Sequence, residues 1–472
     1  MEFSEDLDAP SRALASAPAD DSWRGHLRGT LKLGWPLVLA QMALMGQGVI
    51  DALLAGRLDA RILASVAIGV AMWGFLMVIN FGVQSALSPT LAQLRGAGRI
   101  VELKSAARQA IWTALLVLCL ILAGTRAAPA ILALFGVDPL LRPGAQAFMD
   151  GVAWGAPGLV GFTLLRCYSE GMGYSRPSLY VALLGLVLLG PIGYVLMYGK
   201  LGIPPLGAYG SGLATAIVLN IQALGYWWYV EKHPVLGKDD VFAGFDRPDL
   251  VKIRALLVLG LPIALGWAAE AGLFQVSALL VGRFGETWTA AHQVAINVAS
   301  LTFMVPLGLS MAVAVRVGHA RGASSAVGVA RAARAGVLVA LCTQVMSGTL
   351  IFVFATTIAG LYLPHDPQVA TLAVGLLLLA AIFQLPDGVQ VVCAGALRGL
   401  KDTAIPSAIT VIAYWVLAFP AAWWLAFHTG QGVAGLWIGF IVGLSAAALL
   451  LGSRLWWMLG KVRRVLAPRP LG

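Results

Sequence analysis

Three acidic residues stand inside stretches long and apolar enough to cross a bilayer: Asp51 in "QGVIDALLAG", Glu270 in "LGLPIALGWAAEAGLFQVSALLVG" and Asp387 in "AAIFQLPDGVQVVCAGALRG". A charged carboxylate at the centre of a membrane helix costs about 2.5 to 3.5 kcal/mol on insertion scales, so such residues face a cavity, find a partner or take up a proton. The chemistry open to them is cation chemistry: binding H+ or Na+, or holding an organic cation. The bland alternative is a static pair with a base, or a protonated hydrogen-bond donor. No Lys or Arg occurs between Leu256 and Val281, so nothing on its own stretch quenches Glu270. Pro386-Asp387-Gly388 predicts a kink, because proline removes a backbone hydrogen bond and glycine relaxes the helix. Freed carbonyls beside a carboxylate make a cation site.

The elements that carry these acids follow from composition. The 472 residues are 59% hydrophobic and 11% charged, against about 25% charged in ordinary soluble domains. Runs of about 20 apolar residues recur along the chain, each long enough to span the hydrocarbon as a helix, and the short alternating segments of a membrane β-barrel are missing. The expectation is an all-α polytopic membrane protein with twelve helices: 33–55, 62–87, 109–134, 145–165, 178–198 and 209–230, then 256–281, 288–315, 335–361, 369–397, 405–426 and 433–459. Expected boundaries are a cytoplasmic tail 1–32, an N-terminal lobe 33–230, a polar connector 231–254, a C-terminal lobe 255–459 and a basic tail 460–472. The first thirty residues are acidic and rich in Ser, Ala and Pro with no apolar core, unlike a signal peptide.

A net charge of +10 invites nucleic acid as a partner, but its distribution argues against that. With both termini in the cytoplasm, 26 Lys and Arg fall on that side and 6 on the other. This is the positive-inside pattern, so the charge reports topology in a plasma (inner) membrane.

The chain is also duplicated. At an ungapped offset of 226, Gly34 falls on Gly260, Pro36 on Pro262, Ala52-Leu53-Leu54 on Ala278-Leu279-Leu280, Gly82 on Gly308 and Arg95-Gly96-Ala97 on Arg321-Gly322-Ala323. An even number of helices per copy makes the repeats parallel, the plan of a carrier with its pathway between two lobes. The acids break the repeat. Glu270 lies opposite Leu44, Asp51 opposite Ser277 and Asp387 opposite Gly161, so the fold does not require them.

Other features are weaker. His292, followed by Gln293 in "TAAHQVAINVASL", titrates near neutrality when accessible, or is hydrogen-bonded to a neighbouring helix. Trp267, Trp288, Trp415, Trp423, Trp424 and Trp437 line a pocket for flat cations or belt the interface. Asp366 sits at the outer mouth. Cys119, Cys167, Cys342 and Cys393 have no paired or metal-binding spacing. No "GxxxxGK[ST]" loop is present, so an ion gradient is the expected source of work.

The run "AAHQVAINVASLTFMVPLGLSMAVAVRVGHARG", with "VIDALLAG", "PTLAQLRGAGR", "YGSGLATAIV" and "PDGVQVVCAGALRGLKD", resembles the MATE (multidrug and toxic compound extrusion) family, in its bacterial NorM-like branch. The resemblance implies two six-helix bundles around a V-shaped cavity. It implies that acids on the first, seventh and tenth helices bind the driving ion or a cationic substrate; these fall on Asp51, Glu270 and Asp387, with Thr215 near Asp51. Asparagines of the family pattern are replaced by Leu189 and Gly193. A tyrosine one turn before Asp387 is replaced by Phe383, and this loss of neutral oxygens favours H+ over Na+. The implied function is an antiporter, not an enzyme, that expels small organic, mostly cationic compounds as a monomer among membrane lipids with no cofactor. A flippase for lipid-linked oligosaccharide or other lipids is the alternative; it would require a basic cavity for a pyrophosphate, whereas the internal charges read from the sequence are acidic.

Overall fold

A computed structural model describes residues 22–466 apart from 238–240, 243 and 245; most of the expected acidic tail, and the end of the basic one, lie outside the described residues. Twelve membrane spans follow in order: α1 (Trp23–Gly56), α2 (Arg61–Gly96), α3 (Ile100–Arg126), α4 (Arg142–Ala153 with Ala156–Gly171, bent by 52°), α5 (Arg176–Tyr198), α6 (Gly207–Lys232), α7 (Leu250–Phe284), α8 (Glu286–Gly322), α9 (Ala326–Tyr362), α10 (Pro367–Gly399), α11 (Ala404–His428) and α12 (Gly432–Leu466). Among the described residues eleven helices are long and apolar enough to cross a membrane, and with the bent pair of α4 read as one span each of the twelve expected runs has its helix.

Several helices outrun their apolar stretches. The first begins at Trp23 rather than Leu33, and the ninth at Ala326 rather than Ala335. Apolar run length measures the hydrocarbon, whereas a helix continues into water wherever its polar ends are capped. Ser22 caps α1 by accepting from the Gly25 amide, and Ser325 caps α9 by accepting from Gly328. Asp249 caps α7, and the amide of Lys252, ahead of that of Val251, holds its carboxyl below the ordinary aspartate value. Asp366, expected at an outer mouth, caps α10 through the Val369 amide at 3.1 Å. The third apolar run divides, α3 ending at Arg126 and a short helix following at Ala128–Leu134. In α11, the stretch Ile412–Ala418 is π-helical and leads into Pro420, which has no N–H to close an ordinary bond to Val416.

Spans α1–α6 pack around buried Phe148, Phe162, Tyr168 and Tyr226, and much of α7–α12 around buried Tyr414, Trp437 and Phe440. The two lobes meet at the end that carries the chain termini and the connector, and glycines matched by the internal repeat form the seam. Gly34 faces Leu309 and Ala312 of α8, while Gly308 faces the Val38 backbone of α1. Gly82 faces Ala264 of α7, while Gly260 faces the Val83 backbone of α2. Gly96 and Gly322 lie against the backbone of each other's helix. Three sequence matches thus become three reciprocal crossings, where the absent Cβ atoms let backbones touch. Gln93 Nε2 donates to the Gly399 carbonyl across the seam at 2.8 Å.

Candidate functional site

Beyond the seam the lobes enclose a cavity of about 640 Å³, within the range of small-molecule sites. Asp51, Glu270 and Asp387, far apart in sequence, all line it, as do Thr215 and Phe383.

Glu270 reaches the cavity from the middle of α7. Its Oε1 accepts from Gln390 Nε2 at 3.2 Å and from Tyr414 Oη at 3.1 Å. Gln390 lies one turn beyond Asp387 on α10, so it ties the two acidic helices together; Tyr414 comes from the π-helical segment of α11. The hydroxyl that Phe383 cannot supply is therefore present on another helix. Phe383 packs edge-on against Phe274 and Trp437 at ring separations of 6.1 and 5.8 Å. Asp387 is buried, and its Oδ2 has no hydrogen-bond partner. A buried carboxylate oxygen left without a donor suits a proton or a small cation. Among the described residues no group of three or more His, Cys, Asp and Glu gathers as a metal site.

In the N-terminal lobe, Asp51 Oδ1 accepts from Ser211 Oγ at 2.6 Å. Thr215 follows Ser211 by one turn of α6 and faces the same cavity, whose wall here is also formed by Leu189. Ser211, which the sequence reading did not single out, thus supplies the direct hydrogen bond to Asp51, with Thr215 one turn further on.

His292 and Gln293 lie elsewhere. His292 is buried between helices and its Nδ1 accepts from Trp437 Nε1 at 3.2 Å, while Gln293 is exposed and donates to Asn297 at 2.9 Å. Neither lines the cavity, because α8 turns that face away from it. Of the six tryptophans named above, Trp267 lines the cavity, joined by Trp73; Trp437 is core, and Trp424 is 60% exposed. The four cysteines are free thiols.

One sequence expectation requires correction. The interior charges are not acidic alone, for Arg166 and Arg398, counted above among loop cations, are buried and line the cavity. Arg166 Nε pairs with Glu170 Oε1 at 2.7 Å and its Nη2 donates to Gln41 at 2.7 Å. Glu170 also accepts from Ser178 at 2.9 Å, and Ser178 adjoins Tyr226 at 3.1 Å. Both arginines sit near helix ends, where hydropathy alone reads them as exposed.

Comparison with known proteins follows the same lines. The MatE family model matches residues 36–196 and again 262–424, once per lobe. A probable multidrug resistance protein NorM of Xanthomonas campestris pv. campestris is 41% identical over 440 residues, 93% of this chain and 96% of that protein. A multidrug resistance protein MdtK of Yersinia pseudotuberculosis is 39% identical over 436 residues, 91% of this chain and 95% of that one. The crystal structure of the eukaryotic MATE transporter AtDTX14 shares the fold, with a TM-score of 0.82 at 20% identity over 94% of this chain and 99% of that chain. The family model matched in both halves, and relatives about 40% identical over nine-tenths of the chain, show that the chain belongs to the MATE family.

Proposed function

We propose that the protein is a secondary multidrug efflux antiporter of the inner membrane, exchanging small organic, mostly cationic compounds for H+ or Na+ by alternating access. The observation that carries this reading is the gathering of Asp51, Glu270 and Asp387 on one cavity between two lobes. The names of the NorM and MdtK relatives support drug efflux, and favour it over lipid flipping. With the basic end in the cytoplasm, the seam closes the inner side and the cavity belongs to the outward-facing state.

The ionised carboxylates hold a cationic substrate, and an arriving H+ or Na+ neutralises them and releases it. Coupling requires each ligand to bind the two states with different affinity. A pKa difference of one unit between states is about 1.4 kcal/mol, and one charge crossing 100 mV is about 2.3 kcal/mol, so either component of a gradient suffices for a several-fold bias. Glu270 and Asp387, linked through Gln390, form the principal coupling site; Asp51 with Ser211 forms a second in the other lobe.

The test is efflux from proteoliposomes under a pH gradient and, separately, a Na+ gradient. Wild-type protein is expected to expel an organic cation under at least one of them, and Glu270→Gln, shown folded and inserted, to lose the gradient-driven component. Retained coupling in that variant, or no transport under either gradient, refutes the proposal.

A further inference from the structure

Arg166 and Arg398 each lie toward the seam end of a cavity-lining helix, α4 and α10, each preceded by leucine and each followed four residues later by an acid, Glu170 or Asp402. One turn of helix brings such a pair together. In the first lobe it does so, Arg166 being paired with Glu170. In the second, α10 ends at Gly399 and Lys401 takes a positive φ of 61°, so Asp402 leaves that turn and pairs with Arg454 of α12, at 2.9 Å. Arg398 is left with Nη2 donating to Ser310 Oγ at 3.0 Å and its guanidinium over the Trp267 ring at 5.4 Å. Among the described residues it makes no direct ion pair, and the carboxylate whose charge reaches it is that of Glu270. A buried guanidinium with no carboxylate in direct contact is unfavourable, and this one lines the transport cavity.

Building on the efflux reading, we propose that Arg398 is a specificity-determining residue: an oxyanion subsite at the cavity floor, which receives the carboxylate or sulfonate of substrates that carry an anionic group as well as a cationic one. Trp267 offers its face to the aromatic body and holds the guanidinium in place. Glu270 follows Trp267 by one turn of α7, about 5 Å of rise, so one solute can present its amine to Glu270 and its oxyanion to Arg398. The planar fork of arginine matches a carboxylate in two bonds.

Rhodamine 110, a zwitterion, and its methyl ester, a cation of nearly the same shape, isolate the carboxylate. Binding of both to purified protein is measured by fluorescence polarisation. In Arg398→Gln the ratio of the zwitterion's Kd to the ester's is expected to rise about tenfold, and in Arg398→Lys to rise less. An unchanged ratio overturns the proposal. On the unmodified protein, excess sodium benzoate is expected to displace rhodamine 110 more readily than the ester; equal displacement of both also overturns it, and decides the matter if the variants do not fold. Proteoliposomes separate the two readings: failure to expel either dye under any gradient counts against efflux itself, whereas expulsion of the ester with an unmoved ratio counts against the Arg398 subsite alone.

Discussion

Adding a methyl group at two seam glycines should force the lobes apart at the end that holds the termini. A Cβ on Gly82 would stand 2.6 Å from Ala264 Cβ and 2.7 Å from Ala264 N, and one on Gly308 would stand 2.6 Å from Val38 N and 2.7 Å from Val38 Cα. Carbon atoms ordinarily approach to about 3.5 to 4.0 Å, so each methyl requires about 1 Å of separation. Most of the atoms it meets are backbone, which cannot swing aside as a side-chain tip can. Over-packing costs about 1 to 3 kcal/mol per site. The two crossings are separate, so at about 2 kcal/mol each the closed seam loses about 4 kcal/mol, close to a thousandfold in the ratio of closed to open. The assay is the spin-label distance between Val101→Cys and Val327→Cys, exposed positions at the seam end of opposite lobes, in a background without the four native cysteines. Gly82→Ala with Gly308→Ala should transfer most of the population to a longer distance. Gly74→Ala with Gly360→Ala, where nothing lies within 4 Å of the new carbon, should leave the distances unchanged. A folded double variant with the parent's distance distribution refutes the steric argument.

Three further outcomes are expected. Tyr414→Phe removes a donor to Glu270, a bond of the charged class worth about 1.5 to 3 kcal/mol, and should slow gradient-driven efflux in proteoliposomes by about tenfold or more; an unchanged rate removes Tyr414 from the site. Glu170→Gln leaves Arg166 buried without its carboxylate and should cost about 3 to 5 kcal/mol in stability, seen as a lowered melting temperature, with Arg166→Met/Glu170→Met recovering much of the loss. Trp437→Phe should cost about 1 kcal/mol through the lost bond to His292, and Gln293→Ala within about 0.5 kcal/mol; neither should alter efflux, and an altered coupling in either would return that part of α8 to the site.

Much of the architecture was legible because a bilayer imposes a single length on every apolar run. Twelve runs, their order and the offset of 226 follow from that constraint and from the matched glycines. The three acids were legible for the same reason, since hydrocarbon makes each one conspicuous. Gln390 was within reach of the sequence, being one turn from Asp387 on the same helix face. Tyr414 was not: nothing in "VIAYWVLAFP" marks it, and a π-helical stretch sets its direction. Ser211 and Thr215 share a face of α6, and periodicity cannot say which of them donates to Asp51.

Sequence alone determined the class of protein, the paired lobes and the acids able to bind cations, because these depend on local hydropathy and on repetition. Tertiary structure alone decided that the acids share one cavity, that His292 and Gln293 stand outside it, that Arg166 and Arg398 stand inside it, and that matched glycines are crossing points. Whether a polar group near a helix end meets water, a carboxylate or a cavity depends on which helix lies opposite. Asp402 shows this directly: the four-residue spacing that pairs Arg166 with Glu170 inside α4 runs past the end of α10 at Gly399, and Asp402 meets Arg454 on α12 instead, a partner that only packing across the lobe brings near.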